Sequence, residues 1–81
     1  MDRKLKERDI IKVKENVAPL NMAAGDHYRI EYFKTVHYEE RCLLSRCTAN
    51  GTIQDGDLLE IAARELDIWT EDGAIEISPA R

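Results

Sequence analysis

Four side chains able to ligate a metal, His27, His37, Cys42 and Cys47, fall close together in the chain. A structural zinc site draws its ligands in pairs two to four residues apart, whereas these are spaced by ten, five and five. On a straight strand, residues 42 and 47 point to opposite faces. The sequence therefore predicts no metal and no other cofactor, with both cysteines packed as small apolar groups. A cysteine nucleophile with His37 as its base needs a lowered thiol pKa and a third, orienting group, and neither is visible. The acids Asp55, Asp57, Glu60, Asp67, Glu71 and Asp72 are dense enough to form a solvated face. A chain of 81 residues also has little room for the pocket an acid/base pair needs. Gly51, Gly56 and Gly73 lack the spacing of a phosphate loop and read as turn glycines. No catalytic residue is assigned, and the chain is read as a protein that binds without doing chemistry.

Two sets of residues suit binding. Phe33, Tyr38 and Trp69 fall on outward or loop positions of the strands assigned below, and exposed aromatics anchor protein interfaces. Trp69 lies among Asp67, Glu71 and Asp72, which suits a basic partner surface. The competing reading places this single tryptophan in the core. The second set is basic: residues 1–14 carry six bases (Arg3, Lys4, Lys6, Arg8, Lys12 and Lys14) against three acids. Joined by a strand aromatic such as Phe33, these residues fit a nucleic acid. Residues 51–81 carry eight acids against two bases, and the net charge of −4 argues against a dedicated DNA-binding protein. The basic front of one copy docking on the acidic back of another would give a homo-oligomer, closed into a ring or open as a filament.

The elements that must position these residues look mainly β. In residues 9–17, Ile11, Val13 and Val17 alternate with Lys12 and Lys14. Residues 19–25 form a loop whose Leu20 and Met22 fold back over the core. The clearest strand spans residues 27–34, with Tyr28, Ile30 and Tyr32 on one face and Arg29, Glu31 and Phe33 on the other. A polar turn holding Tyr38 leads to a third strand over residues 41–48. Asn50-Gly51 and Asp72-Gly73 are hairpin signals, because both central residues of a type I′ turn need positive φ. Residues 58–66 are ambiguous: Leu59, Ala62, Ala63 and Leu66 fit a helix, with Asp57 and Glu60 as cap and capping-box partner. As a strand, Leu59, Ile61 and Ala63 face inward. The surrounding β-structure favours the strand, followed by a hairpin of residues 66–70 against 74–78. The expected core is Ile11, Val13, Tyr28, Ile30, Tyr32, Leu44, Leu59, Ile61, Leu66 and Ile68.

The layout of Gly25-x-x-Tyr28-Arg29-Ile30, a strand over residues 41–48, Gly56-Asp57-Leu58 and Arg64-Glu65-Leu66 resembles the small SH3-like barrels of bacterial prophage and other mobile-element proteins. The resemblance covers residues 10–70 and implies a binding module that presents aromatic and charged loop residues to a partner. The expectation is thus an SH3-like small barrel over residues 9–78 behind a charged arm at 1–8, with an α+β fold carrying a helix at 58–66 as the alternative. It acts as a small accessory or regulatory protein that recognises another protein through Phe33, Tyr38, Trp69, Asp67 and Glu71. Nucleic-acid binding through Arg3, Lys4, Lys6, Lys12 and Lys14 is the alternative. The longest apolar runs are too short to span a membrane, so the expected location is the cytoplasm.

Overall fold

Among the described residues, five strands and one α-helix follow in the order β1 (Ile10–Val13), β2 (His27–Val36), β3 (Glu39–Cys47), β4 (Ile53–Ala62), α1 (Ala63–Asp72) and β5 (Ile75–Ser78). The computed structural model describes residues 5–78, save the side chain of Asp55. Every strand pair is antiparallel and the sheet runs β4-β3-β2-β1-β5. The mainly β class predicted from alternation is what the chain adopts. The sheet is not closed into a barrel, since β4 and β5 are its two edges and do not pair with each other.

Period-2 alternation does most of the work at the start. In β1, Ile11 and Val13 are buried and Lys12 is exposed; in β2, Tyr28 and Ile30 continue the buried face. The pairing then slips. Ile30 lies opposite Leu44 but Tyr32 lies opposite Leu43, so Glu31 is an extra residue bulged out of the ladder. One inserted residue exchanges the two faces of every position beyond it. Phe33, opposite Cys42, therefore turns toward the core, and Tyr32 turns to the other face, where it is 42% exposed. The sequence placed Tyr32 inside and Phe33 outside, and the bulge reverses both.

The last third departs from the predicted hairpin. Residues 58–62 are strand, and the helix begins only at Ala63 and runs to Asp72, so neither the strand nor the helix expected over 58–66 describes the whole stretch. The helix buries Ala63 and Leu66, and Trp69, one turn on from Leu66, packs partly buried against the same core. Ile68, predicted as core on a strand, points away and is 53% exposed. Asp72-Gly73 is the helix terminus instead of a hairpin turn. Gly73 has φ 88°, its N–H donates to the Thr70 carbonyl, and the Ala74 N–H reaches back to Trp69. Those two bonds make a Schellman motif, which needs a residue tolerant of the left-handed region at that position. The helix packs on β3, β4 and β5, closing the core with Ile11, Ile30, Leu44, Ile61 and Ile75.

Loops complete the lid on that face. A 3-10 turn at Ala18–Leu20 and a bridge between Val17 and Met22 bring Val17, Leu20 and Met22 onto the core, as the apolar content of this loop predicted. Leu5 is buried as well, so from that residue onward the basic amino-terminal segment lies on the body of the protein. Among the described residues no helix is long and apolar enough to cross a membrane.

Candidate functional site

The sheet has a second face, opposite the helix, and the strand register reads it row by row. The first row is Ile53, Cys47, His27, Lys12 and Glu76; the next is Leu58, Ser45, Arg29, Ile10 and Ser78. Beyond the bulge come Glu60, Leu43 and Tyr32, then Ala62, Arg41 and Lys34. The first two rows, across β2, β1 and β5, floor a groove of about 790 Å³ walled by Arg8 and by residues 49–51.

Each wall has a local cause. Residues 48–52 are held by Thr48, whose hydroxyl accepts the N–H groups of Asn50 and Thr52 while its carbonyl accepts that of Gly51. Gly51 has φ 87°, which strains any residue with a Cβ, and a Cβ there would stand 3.2 Å from Ile10 Cδ1, so a side chain would also press Ile10 of the groove floor aside. On the other side Arg8 has φ 76°, a left-handed conformation uncommon outside glycine, asparagine and aspartate. Its N–H donates to the Ile30 carbonyl at 2.6 Å, and the Ile30 N–H returns a bond to Asp9. The buried Asp9 carboxylate accepts the Lys6 N–H at 3.0 Å. This knot fixes the backbone of a basic residue at the groove mouth.

The charge lining the groove is mostly positive. Among the described lining residues, Arg8, Lys12 and Arg29, with the imidazole of His27, face one acid, Glu76. Arg29 is held in a two-pronged contact with Glu31, at 3.0 Å and 3.1 Å, which neutralises it and fixes its orientation. Glu76 is 3.9 Å from Lys14, whose charge offsets it. Arg8 and Lys12 have no ion-pair partner among the described residues. The groove thus offers an anion two cations unengaged among the described residues, an imidazole and an oriented guanidinium.

Cys47 sits in the floor of the same face. Burial pushes its thiol upward, Arg29 pulls it down and Glu31 raises it, with burial the strongest influence. A raised thiol is protonated at neutral pH and is a poor nucleophile. Cys42, on the core face, is fully buried. His27 lies in the groove and His37 in the β2–β3 turn with φ 51°, and among the described residues no three His, Cys, Asp or Glu side chains gather as a metal site.

The structure scatters the residues expected to bind a protein. Phe33 and Trp69 pack partly buried against the core; Tyr38 stands fully exposed at the tip of the β2–β3 turn. Asp67 and Glu71 are exposed on α1, across the sheet from the groove. Of the basic set, Lys12 lines the groove and Lys14 flanks it beside Glu76, while Lys6 is an exposed neighbour of Arg8. Arg3 and Lys4 lie outside the described residues. The sequence missed His27 and Arg29 as parts of a basic site. Their signal was there: both sit on the face of β2 opposite Tyr28 and Ile30, where alternation alone puts them beside Lys12.

Comparison with models of known protein families, with curated proteins and with solved structures finds no match to this chain.

Proposed function

We propose that the protein is a non-catalytic binding module whose groove takes the phosphate backbone of a nucleic acid. One observation carries this reading: among the described residues Arg8, Lys12 and Arg29 converge with His27 on one groove whose lining holds one acid, Glu76, and only Arg29 is paired, with Glu31, in a chain whose net charge is −4. Such local excess against an acidic background is what an electrostatic footprint requires. The raised thiol of Cys47 supports a binding role over catalysis.

The test is a salt titration of the affinity for a short fluorescent oligonucleotide. Log affinity should fall linearly with log salt, and Lys12→Ala should lower that slope by about 0.7 for a single strand. Arg8→Gly is the complementary variant. Glycine accepts φ 76° without strain, so stability should change by no more than about 1 kcal/mol while affinity falls. Absence of binding at low salt would discard the reading.

A second reading, recognition of a protein, rests on α1. Ile68 is exposed on the helix between Asp67 and the carboxylates of Glu71 and Asp72. An apolar anchor ringed by acids suits a basic surface. Ile68→Ala should leave the fold unchanged, and loss of affinity for a basic peptide would support this face.

A further inference from the structure

We infer that the groove face is built for single strands, with the phosphates in the basic groove and an unstacked base lying on Tyr32. The inference rests on the groove reading above and adds a ligand class to it. The bulge at Glu31 is what brings this ring to the groove face: without it Tyr32 would point into the core. The ring is 42% exposed, beside the buried Leu43 across the strand pair. Across the bulge it lies two ladder positions from Arg29, opposite Leu43 where Arg29 is opposite Ser45, or about 7 Å of strand, so one short strand can touch both. Two acids beside the ring are already paired, the first being Glu31 with Arg29. Glu60, opposite Leu43, is already held by two cations, with Lys34 Nζ at 2.8 Å and Arg41 Nε at 2.6 Å.

Charge with an adjacent aromatic platform is the recognition mode of single-strand binders, because every base has a π-face while a duplex hides its own. A duplex would offer only phosphates to the groove and nothing to Tyr32. Stacking and phosphate contacts do not depend on which base is present, so tolerance of sequence is part of the inference.

The experiment uses the full chain at low salt and follows anisotropy of three labelled probes of equal length: an oligothymidylate, an abasic single strand and a duplex. The oligothymidylate should bind about five- to a hundred-fold tighter than the abasic strand, the worth of one stacked base. Tyr32→Ala should bring the oligothymidylate to the abasic level and leave the abasic strand unchanged, while Tyr32→Phe should retain the difference. The exposure of Tyr32 lets these variants fold, which circular dichroism verifies. Equal affinity for strand and duplex, equal affinity for the abasic strand, or indifference to Tyr32→Ala would each overturn the inference while the groove survives. Failure of all three probes, or an abasic affinity unmoved by Lys12→Ala, would remove the groove reading and this inference with it.

Discussion

Glu60 shows how much of this surface is set by single pairings. Its carboxyl is held below the usual range, first by the hydrogen bond from Lys34, with the charges of Lys34 and Arg41 adding to it and desolvation opposing. A carboxylate depressed in the folded state stabilises that state above its unfolded pKa, about 4.3, and the contribution disappears as pH falls through the lower folded value. Glu60→Gln should therefore leave a thermal midpoint less sensitive to acid below about pH 4.3 than that of the parent protein. The neighbouring inversion at Tyr32 and Phe33 allows a sharper comparison. Phe33→Ala opens a space against the core and should cost about 3 kcal/mol in denaturant unfolding, while Tyr32→Ala should cost less than about 1 kcal/mol. Equal costs would mean that both rings pack alike. The alternation of residues 27–34 read correctly as far as Ile30, because period 2 is all a sequence reader has. A bulge adds one residue without a glycine or other mark in the sequence, so everything past it was assigned to the wrong face.

At the scale of elements, α1 is held by what it buries and by how it ends. Leu66 is fully buried where the helix meets the sheet, and Leu66→Ala should cost about 2 to 5 kcal/mol. Gly73→Ala asks an L-residue to keep φ 88° and should cost about 1 kcal/mol, read from the shift of the denaturation midpoint. These two variants share one element and differ in mechanism, loss of packing against loss of a terminus. The strands β1 and β2 were legible because their first halves alternate, and β3, buried on both faces from Cys42 to Ser45, was legible only from the Asn50-Gly51 turn that follows it. The helix was misplaced because Asp57 and Glu60 imitate a capping box upstream of it. The real helix begins at Ala63, and its N-cap, Ala62, makes no side-chain cap bond. Its end was misread because Asp-Gly serves two structures, a type I′ turn and a helix followed by a left-handed glycine. What chose between them was tertiary: the core face of β3 and β4 needed a cover, and Ala63, Leu66 and Trp69 at helical spacing supply one.

For the whole molecule, the separation of charge in the sequence becomes a separation across the sheet, with the basic groove on one face and α1 carrying Asp67 and Glu71 on the other. How far those acids oppose binding in the groove depends on screening. The protein measures 31 by 25 by 22 Å, comparable to a Debye length of about 30 Å at 0.01 M salt and well beyond the roughly 8 Å at 0.15 M. At low salt a nucleic acid approaching the groove feels the remote carboxylates, whereas at physiological salt it feels only the groove's own charges. Neutralising α1 by Asp67→Asn with Glu71→Gln should therefore raise oligonucleotide affinity at 0.01 M and leave it unchanged at 0.15 M. Glu76→Gln, inside the groove, should raise affinity at both. Measuring the three proteins across the salt series separates a field of the whole molecule from a contact in the site. If the α1 pair also changed affinity at 0.15 M, the acids would be touching the ligand and the groove would not be its only seat.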